Sequence, residues 1–297
     1  MSRKVGRTNQ ASLAIMNLAL MFAAKGNKHA ALEGLDEAIG QSRTDRDNRL
    51  LSAVKELRAR LERRMSSGLP WTQWAEGAYT HQVIRIRGRF ALDRVPPDSA
   101  VAGYLGLVQE FSDAGLAMES AIALNELGSV YRRLPQPRYV ESEAAVVKAL
   151  AIFDEIDLTV GKAASWHKRG DLYFAQRKLE MSECAYVESL RLKRVILDDL
   201  GEAITLDHLA QVYIAQKRLV QAEDALERSW ALLKPFGTPQ QKWFPLERLI
   251  LLKEERNDIP AAVALARLAV EHVARDMRIS KKADELLNRL LERQRSM

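Results

Sequence analysis

The sequence contains very little cysteine, glycine and proline. Its 297 residues include a single cysteine, Cys184, so no disulfide can form within the chain, and a reducing compartment is indicated. The 15 glycines and 9 prolines are typical of a helix-dominated protein, and an apolar content of 47% is enough for a large core. No Asn-x-Ser/Thr sequon occurs. We therefore expect a cytoplasmic, all-α protein in which Cys184 is a small packed side chain.

The apolar stretch near the N-terminus is too short to span a bilayer. It runs from Ala11 to Ala24 and follows three basic residues, which is the outline of a secretory signal. However, it contains Asn17 and lacks an Ala-x-Ala cleavage site. It also carries the start of a helical repeat pattern, described below, that continues into the following residues. We interpret it as part of the folded chain and expect no membrane partner.

Motifs for catalysis are absent from the sequence. There is no P-loop, GxGxxG, HExxH, CxxC or GxSxG pattern. The five histidines are scattered along the chain. His167 and His208 come from equivalent stretches of adjacent units, so a shared site is conceivable, but a pair of histidines without a carboxylate at ligand spacing is more often a surface feature than a metal site. We therefore expect a protein that is not an enzyme and that holds no cofactor and no metal.

The sequence does contain a repeated signature, in which a small residue is followed three positions later by tyrosine. The clearest copies are Gly128–Tyr131, Gly170–Tyr173 and Ala210–Tyr213, so the small residues are 42 and 40 apart. Weaker copies centre on Gly88 and Ile250, each 40 residues from the nearest clear copy. Self-similarity at such a period is the signature of a solenoid array.

A face of alternating small and large residues follows each signature. Its members are spaced by four and then three positions, which places them on one stripe of a helix. These faces are Ser142, Val146 and Ala149; Ser182, Tyr186 and Ser189; and Ala222, Leu226 and Ser229. Small residues let the paired helix approach closely, while the large residue fills the layer between helices. Each unit is therefore predicted to be two antiparallel helices that must stack on neighbouring units.

These residues resemble the tetratricopeptide repeat. The family's small residue is matched at Ala19, Gly128, Gly170 and Ala210, and its leading tryptophan at Trp166. The period is longer than the usual ~34 residues. In this the chain is similar to the long-helix subclass of kinesin light chains, Rap-type bacterial regulators and arrays attached to signal-transduction ATPases. The resemblance implies a right-handed α-solenoid of stacked helix-turn-helix repeats with a C-terminal capping helix.

The pattern divides the chain into three regions. Residues 1–66 are predicted to form a first hairpin over 11–41, with Met16, Leu20 and Ala23 covered, and an extra charged helix over 45–66. The apolar stripe of this extra helix is Leu50, Leu51, Val54, Leu57 and Leu61. After the break at Ser66–Pro70, residues 71–278 form the regular array of about five units. Residues 279–297 form the capping helix, centred on 281–293.

The net charge of +6 comes from the N-terminal third. Residues 1–98 contain 17 Lys and Arg against 10 Asp and Glu, a net of +7, and the rest of the chain contains 28 against 29. A basic region can attract nucleic acid, but no aromatic platform or nucleic-acid motif accompanies it. We interpret these charges as a solvated helix face and regard a nucleic-acid partner as the least favoured alternative.

In the tetratricopeptide family the first helix of each unit lines a concave groove. The residues three before, one after and four after the small residue face this groove. Applied here, these offsets assign a set of candidate peptide-binding residues. They are Arg85, Arg89, Asn125, Ser129, Arg132, His167, Asp171, Phe174, Asp207, Gln211, Ile214 and Glu247.

The candidate residues suggest how a partner is recognised. They grade from basic to acidic along the array, which would orient an extended or helical peptide by its charge pattern. Asn125, His167 and Gln211 are expected to bond the peptide backbone, and Phe174 and Ile214 to supply apolar contact. The predicted function is therefore a non-enzymatic scaffold or adaptor that binds a protein segment.

A second function is open at this level. The array could act as a sensor that binds a peptide or small ligand and controls an effector engaged by residues 1–66. This resembles the arrangement of the Rap-type regulators. The oligomeric state is not determined by the sequence.

Overall fold

The structure, a computed structural model, describes residues 15–16, 18–44, 48–66, 96–235, 237–274 and 276–296. In these ranges the regular secondary structure is entirely helical. The chain divides into unit 1, Met1–Gln176, and unit 2, Arg177–Met297. No helix in the described part of the chain is both long enough and apolar enough to cross a bilayer.

Unit 1 contains seven helices in its described residues. The first, α1, comprises residues 15–16 and 18–24. The others are α2 (Lys28–Thr44), α3 (Asn48–Ser66), α4 (Pro97–Asp113), α5 (Ala117–Arg133), α6 (Tyr139–Glu155) and α7 (Thr159–Ala175). From α4 to α7 each helix packs on the next, and α5 also contacts α7.

Unit 2 contains six helices in its described residues. They are α8 (Leu179–Val195), α9 (Asp199–Ala215), α10 (Leu219–Leu233), α11 (Pro239–Glu255), α12 (Ile259–Val273) and α13 (Met277–Arg295). Each packs on the next, and α9 also contacts α11. This successive packing confirms the predicted all-α solenoid architecture within each unit. Hereafter α5, α7, α9 and α11 are the A helices, and α6, α8, α10 and α12 the B helices.

A step of 20 residues sets the register of the helices. From α6 to α12 successive helices begin at 139, 159, 179, 199, 219, 239 and 259. The turn with Pro135 and Pro137 lengthens the step from α5 to α6 by two residues, which accounts for the 42-residue interval between Gly128 and Gly170. Two such steps make the 40-residue period.

The turns between these helices share one backbone geometry. The second residue after the helix takes a left-handed conformation at Asp157, Arg177, Leu197, Lys217 and Asn257, with φ between 47° and 60°. After α8, the Asp198 N–H donates to the Lys193 carbonyl at 2.8 Å, and the turn after α9 repeats this bond. This is the Schellman arrangement, which satisfies the last carbonyls of a helix and ends it at a set residue. A short turn closed in this way keeps the step constant.

The predicted small-large-small faces form the contact between A and B helices. All nine residues of these faces are buried. The Ser142 hydroxyl donates to the Gly128 carbonyl at 2.7 Å, and Ser229 donates to the Ala203 carbonyl at 2.8 Å. Small residues thus bring the helix backbones within reach of a serine side chain. One side-chain prediction was wrong, because Cys184 is exposed.

The N-terminal and C-terminal helices each bury an apolar stripe. In the first hairpin Met16, Leu20 and Ala23 are buried, and the extra helix α3 buries Val54, Leu57 and Leu61. The last helix, α13, starts four residues before the predicted 281 and buries Ala283 and Leu290. The break at 67–70, the start of the array at Trp71, and the Gly88 repeat lie outside the described residues.

Candidate functional site

In unit 1 the structure brings the predicted residues of α5 and α7 together. Arg132 donates from Nη2 to Asp171 Oδ2 at 3.1 Å. His167 Nε2 lies 3.7 Å from the other oxygen of the same carboxylate. All three side chains keep part of their surface in solvent. We call Arg132, His167 and Asp171 the α5–α7 charged cluster.

Two further predicted residues of unit 1 are engaged within the protein. Asn125 is only 3% exposed, and its Nδ2 donates to Ser165 Oγ at 2.9 Å. Ser129 is also buried and accepts from Lys168 Nζ at 2.8 Å, while Lys168 donates to Glu126 at 2.9 Å. These bonds join α5 to α7. The amide of Asn125 is therefore used inside the array.

Phe174 is half-buried on α7. It lies three residues after Asp171, so the two side chains share a face of the helix. An apolar side chain therefore shares the face of α7 that carries Asp171 of the α5–α7 charged cluster. The other predicted residues of the N-terminal half, Arg85 and Arg89, lie outside the described residues.

In unit 2 the predicted acidic residues lie at the contact of α9 with α11. Asp207 is 6% exposed, and its two oxygens accept from Arg248 Nη1 at 2.7 and 2.9 Å. Burial raises the pKa of the Asp207 carboxyl, while the neighbouring Arg248 opposes that rise. Gln211 and Ile214 are half-buried on α9. Asp207 is thus a buried partner of Arg248 and not an open contact point.

Glu247 stands beside this ion pair on α11. Burial raises the pKa of its carboxyl, and Asp207 adds to the rise. The cations Arg248 and Lys282 and a hydrogen bond with Trp243 act in the opposite direction. Ionisation of Glu247 is therefore less favourable in the folded chain than in the unfolded chain.

We expect Glu247→Gln to gain stability relative to the wild type as pH rises from about 4 to about 7. A carboxyl whose folded pKa is raised favours folding at low pH, and that contribution is lost as pH rises through the folded pKa. Glutamine removes this loss and keeps an oxygen that accepts from Trp243. Urea unfolding of the variant and the wild type at both pH values measures the difference in their free energies of unfolding. An equal stability difference at the two pH values would contradict the expected direction.

A row of glutamates on the B helices joins each B helix to the following A helix. Glu143, Glu183 and Glu223 are each 40 apart and stand at the fifth position of α6, α8 and α10. Glu143 accepts from the Tyr173 hydroxyl at 2.7 Å. Glu223 pairs with Lys253. Lys253 stands 80 residues after Tyr173, so it occupies the same position of the repeat two units later.

Glu183 makes the equivalent contacts between α8 and the end of α9. It accepts from Arg218 at 2.5 Å and from Gln216 at 3.2 Å, and it interacts with the Tyr213 hydroxyl. The tyrosine of the repeat signature thus places a hydroxyl against the preceding B helix. Sequence reasoning missed these glutamates, although their 40-residue spacing was a visible signal.

A groove lies between the B helices α8 and α10, and its floor is α9. It has a volume of about 850 Å³. The floor is formed by Leu206, Leu209 and Tyr213, and the walls include Val187 of α8 and Val220 of α10. We call this the α8–α10 groove. Sequence reasoning missed it because only the first helix of each unit was expected to bind.

Comparison with known proteins shows a distant likeness to solved structures. No protein-family model matches the chain, and no curated protein does. Among solved structures, the chain is similar to BtubC (BKLC) from P. vanneervenii, with 16% sequence identity and a TM-score of 0.45. The match covers 78% of this chain and 90% of BtubC. A likeness this distant carries no information about function.

Proposed function

We propose that this chain is a non-enzymatic, cytoplasmic scaffold of tetratricopeptide-like repeats that binds a segment of another protein along its A helices. The repeat signature, the close contact of A and B helices and the 20-residue step support the repeat class. The A helices support the binding role, because the predicted contact residues of neighbouring A helices lie together in unit 1.

The α5–α7 charged cluster is the observation that carries the proposal. Its ion pairs hold three polar side chains in place while part of each stays in solvent. Side chains that are already ordered lose little entropy when a partner binds, so they favour specific contact. Phe174, on the same face of α7, supplies an apolar surface next to the charges.

A charge swap tests the proposal without removing the ion pair. In the double variant Arg132→Asp with Asp171→Arg, opposite charges still face each other across α5 and α7, but their order is reversed. We expect near-wild-type unfolding in urea and loss of the protein partner that the wild type retains after nuclease treatment and affinity purification from the native host. Phe174→Ala is expected to weaken the same partner.

The matched control is Gly106→Ala on α4, where an added Cβ meets no atom within 4 Å. It should retain the partner. A stable charge-swapped protein that keeps every partner would show that this face does not bind. Loss of all partners from the wild type on nuclease treatment would instead indicate nucleic-acid binding.

A further inference from the structure

The helices α1, α2 and α3 share a hydrophobic core of their own. Ten apolar side chains of the described residues are buried in it, among them Met16, Leu35, Val54 and Leu61. All ten come from these three helices, whereas the core of α4, α5 and α6 is a separate cluster. We call α1–α3 with this core the N-terminal module.

The N-terminal module contacts the array at the start of α7. In the described part of the chain, Val160 is the one residue from outside the module that packs against its core. Among the described helices, α2 packs on α3, and neither of them packs along α4, α5, α6 or α7. Val160 is half-buried at the second position of α7. The contact is therefore small and apolar, and a body held by a small contact is expected to move relative to its neighbour.

Val160 lies on the face of α7 that carries the proposed binding residues. His167, Asp171 and Phe174 follow it by 7, 11 and 14 residues. At about 100° per residue, these separations place the three side chains within about 40° of the direction of Val160. The stripe from Val160 to Phe174 is about 21 Å long. The module therefore contacts one end of this face, and the α5–α7 charged cluster lies towards the other end.

We propose that the N-terminal module is an autoinhibitory element that competes with the protein partner for this face of α7. When docked, the module occupies the start of the face through Val160. A partner segment that runs along α7 from the α5–α7 charged cluster needs the same surface, so partner binding and docking of the module exclude each other. Because the module belongs to the same chain, its effective concentration is high, and a small contact is enough for it to compete. This role rests on the proposed binding role of the A helices and adds the element that controls access to them.

Thiol reactivity tests the docking directly. In the full chain with Cys184→Ser, the changes Val160→Cys and Val140→Cys each introduce a single thiol. Val140 is 80% exposed on α6 and serves as the uncovered reference. With Ellman's reagent, we expect the thiol at 160 to react about ten-fold more slowly than the thiol at 140. Adding Leu61→Asp, which puts a charge into the buried core of the module, should raise the rate at 160 about ten-fold and leave the rate at 140 unchanged.

Partner retention tests the competition. Val160→Ala removes most of the apolar contact and places no charge on the binding face, so it should free the module. After nuclease treatment and affinity purification from the native host, this variant is expected to retain about three-fold more of the protein partner than the wild type, because a larger fraction of the chains is open to binding. Val140→Ala makes the same change at an exposed site on α6 and should retain as much partner as the wild type.

Two results would overturn the autoinhibitory role alone. One is a thiol at 160 whose rate does not change with Leu61→Asp, because the module then does not cover this position. The other is equal partner retention by Val160→Ala and the wild type when the double variant Arg132→Asp with Asp171→Arg has lost the partner. If that double variant keeps every partner, the proposed binding face fails and the autoinhibitory role fails with it, whereas the thiol rates still decide whether the module docks on α7.

Discussion

Asp207→Ala is expected to destabilise the protein by about 3 kcal/mol. In the wild type both oxygens of the Asp207 carboxylate accept from Arg248 Nη1. The substitution removes this carboxylate and leaves the Arg248 guanidinium, on a side chain that is only 24% exposed, without it. Removing one partner of a buried ion pair is costly because the other charge remains desolvated. Urea unfolding by circular dichroism measures the loss, and hydrogen exchange should locate it in α9 and α11.

Two further variants identify the cause. Replacing both partners by apolar residues, Asp207→Leu with Arg248→Met, should recover most of the stability, because neither residue then leaves its partner's charge buried and unpaired. Arg191→Ala is the exposed control: Arg191 pairs with Glu188 on the same helix and is 61% exposed, so a much smaller loss than for Asp207→Ala is expected. A loss below about 1 kcal/mol for Asp207→Ala would show that the α9–α11 contact does not rest on this pair.

Gly128→Ala is expected to destabilise the α5–α6 contact by about 2 kcal/mol. A Cβ at this position would lie 2.5 Å from Val146 Cγ2 and 3.1 Å from the Ser142 carbonyl oxygen. The higher helix propensity of alanine, worth about 1 kcal/mol, does not offset the clash with the stiff Val146 side chain and the tight contact with the Ser142 carbonyl. Thermal or urea unfolding of the full chain measures the change.

The matched control for Gly128→Ala is again Gly106→Ala, at an open helical position. There only propensity acts, so a gain of about 1 kcal/mol is expected. Combining Gly128→Ala with Val146→Ala should cost less than the sum of the two single changes, because the smaller side chain makes room for the new methyl group. Additive losses would show that the close approach of these helices is not the cause.

Periodicity was enough to predict the helices and their contacts. The spacing of Gly128, Gly170 and Ala210 gave the register of the A helices, and the faces that follow gave the buried side of the B helices. These features depend on local spacing and on residue size, both of which are visible in the chain.

The fate of polar residues was harder to predict. Asn125 was expected to meet a peptide, yet it is bonded to Ser165, which stands 40 residues later. Asp207 was predicted to be an open acidic contact, yet its carboxylate is paired with Arg248. Whether a polar side chain meets solvent or a neighbour depends on distances between helices far apart in sequence. A helical pattern specifies which face of the helix a residue occupies, but it does not specify which residue its side chain contacts.

The groove between α8 and α10 was missed for a related reason. Its floor residues on α9 are apolar and read as ordinary core, and Val220 reads as an isolated surface residue. Only the packing of two B helices over a common A helix brings these residues together around one groove. That arrangement is a property of packing and not of any single stripe.

The constant step has an evolutionary consequence. A tandem copy of residues 199–238 would bring its own Tyr213, Glu223 and left-handed turn, so each copy would meet the next through contacts already encoded in it. Lengthening by whole modules therefore needs no compensating mutation at the junction. An insertion within a helix would turn the following helices away from their neighbours, whereas the two extra residues before α6 are accommodated in the turn with Pro135 and Pro137. Growth of such a gene should therefore proceed by whole repeats.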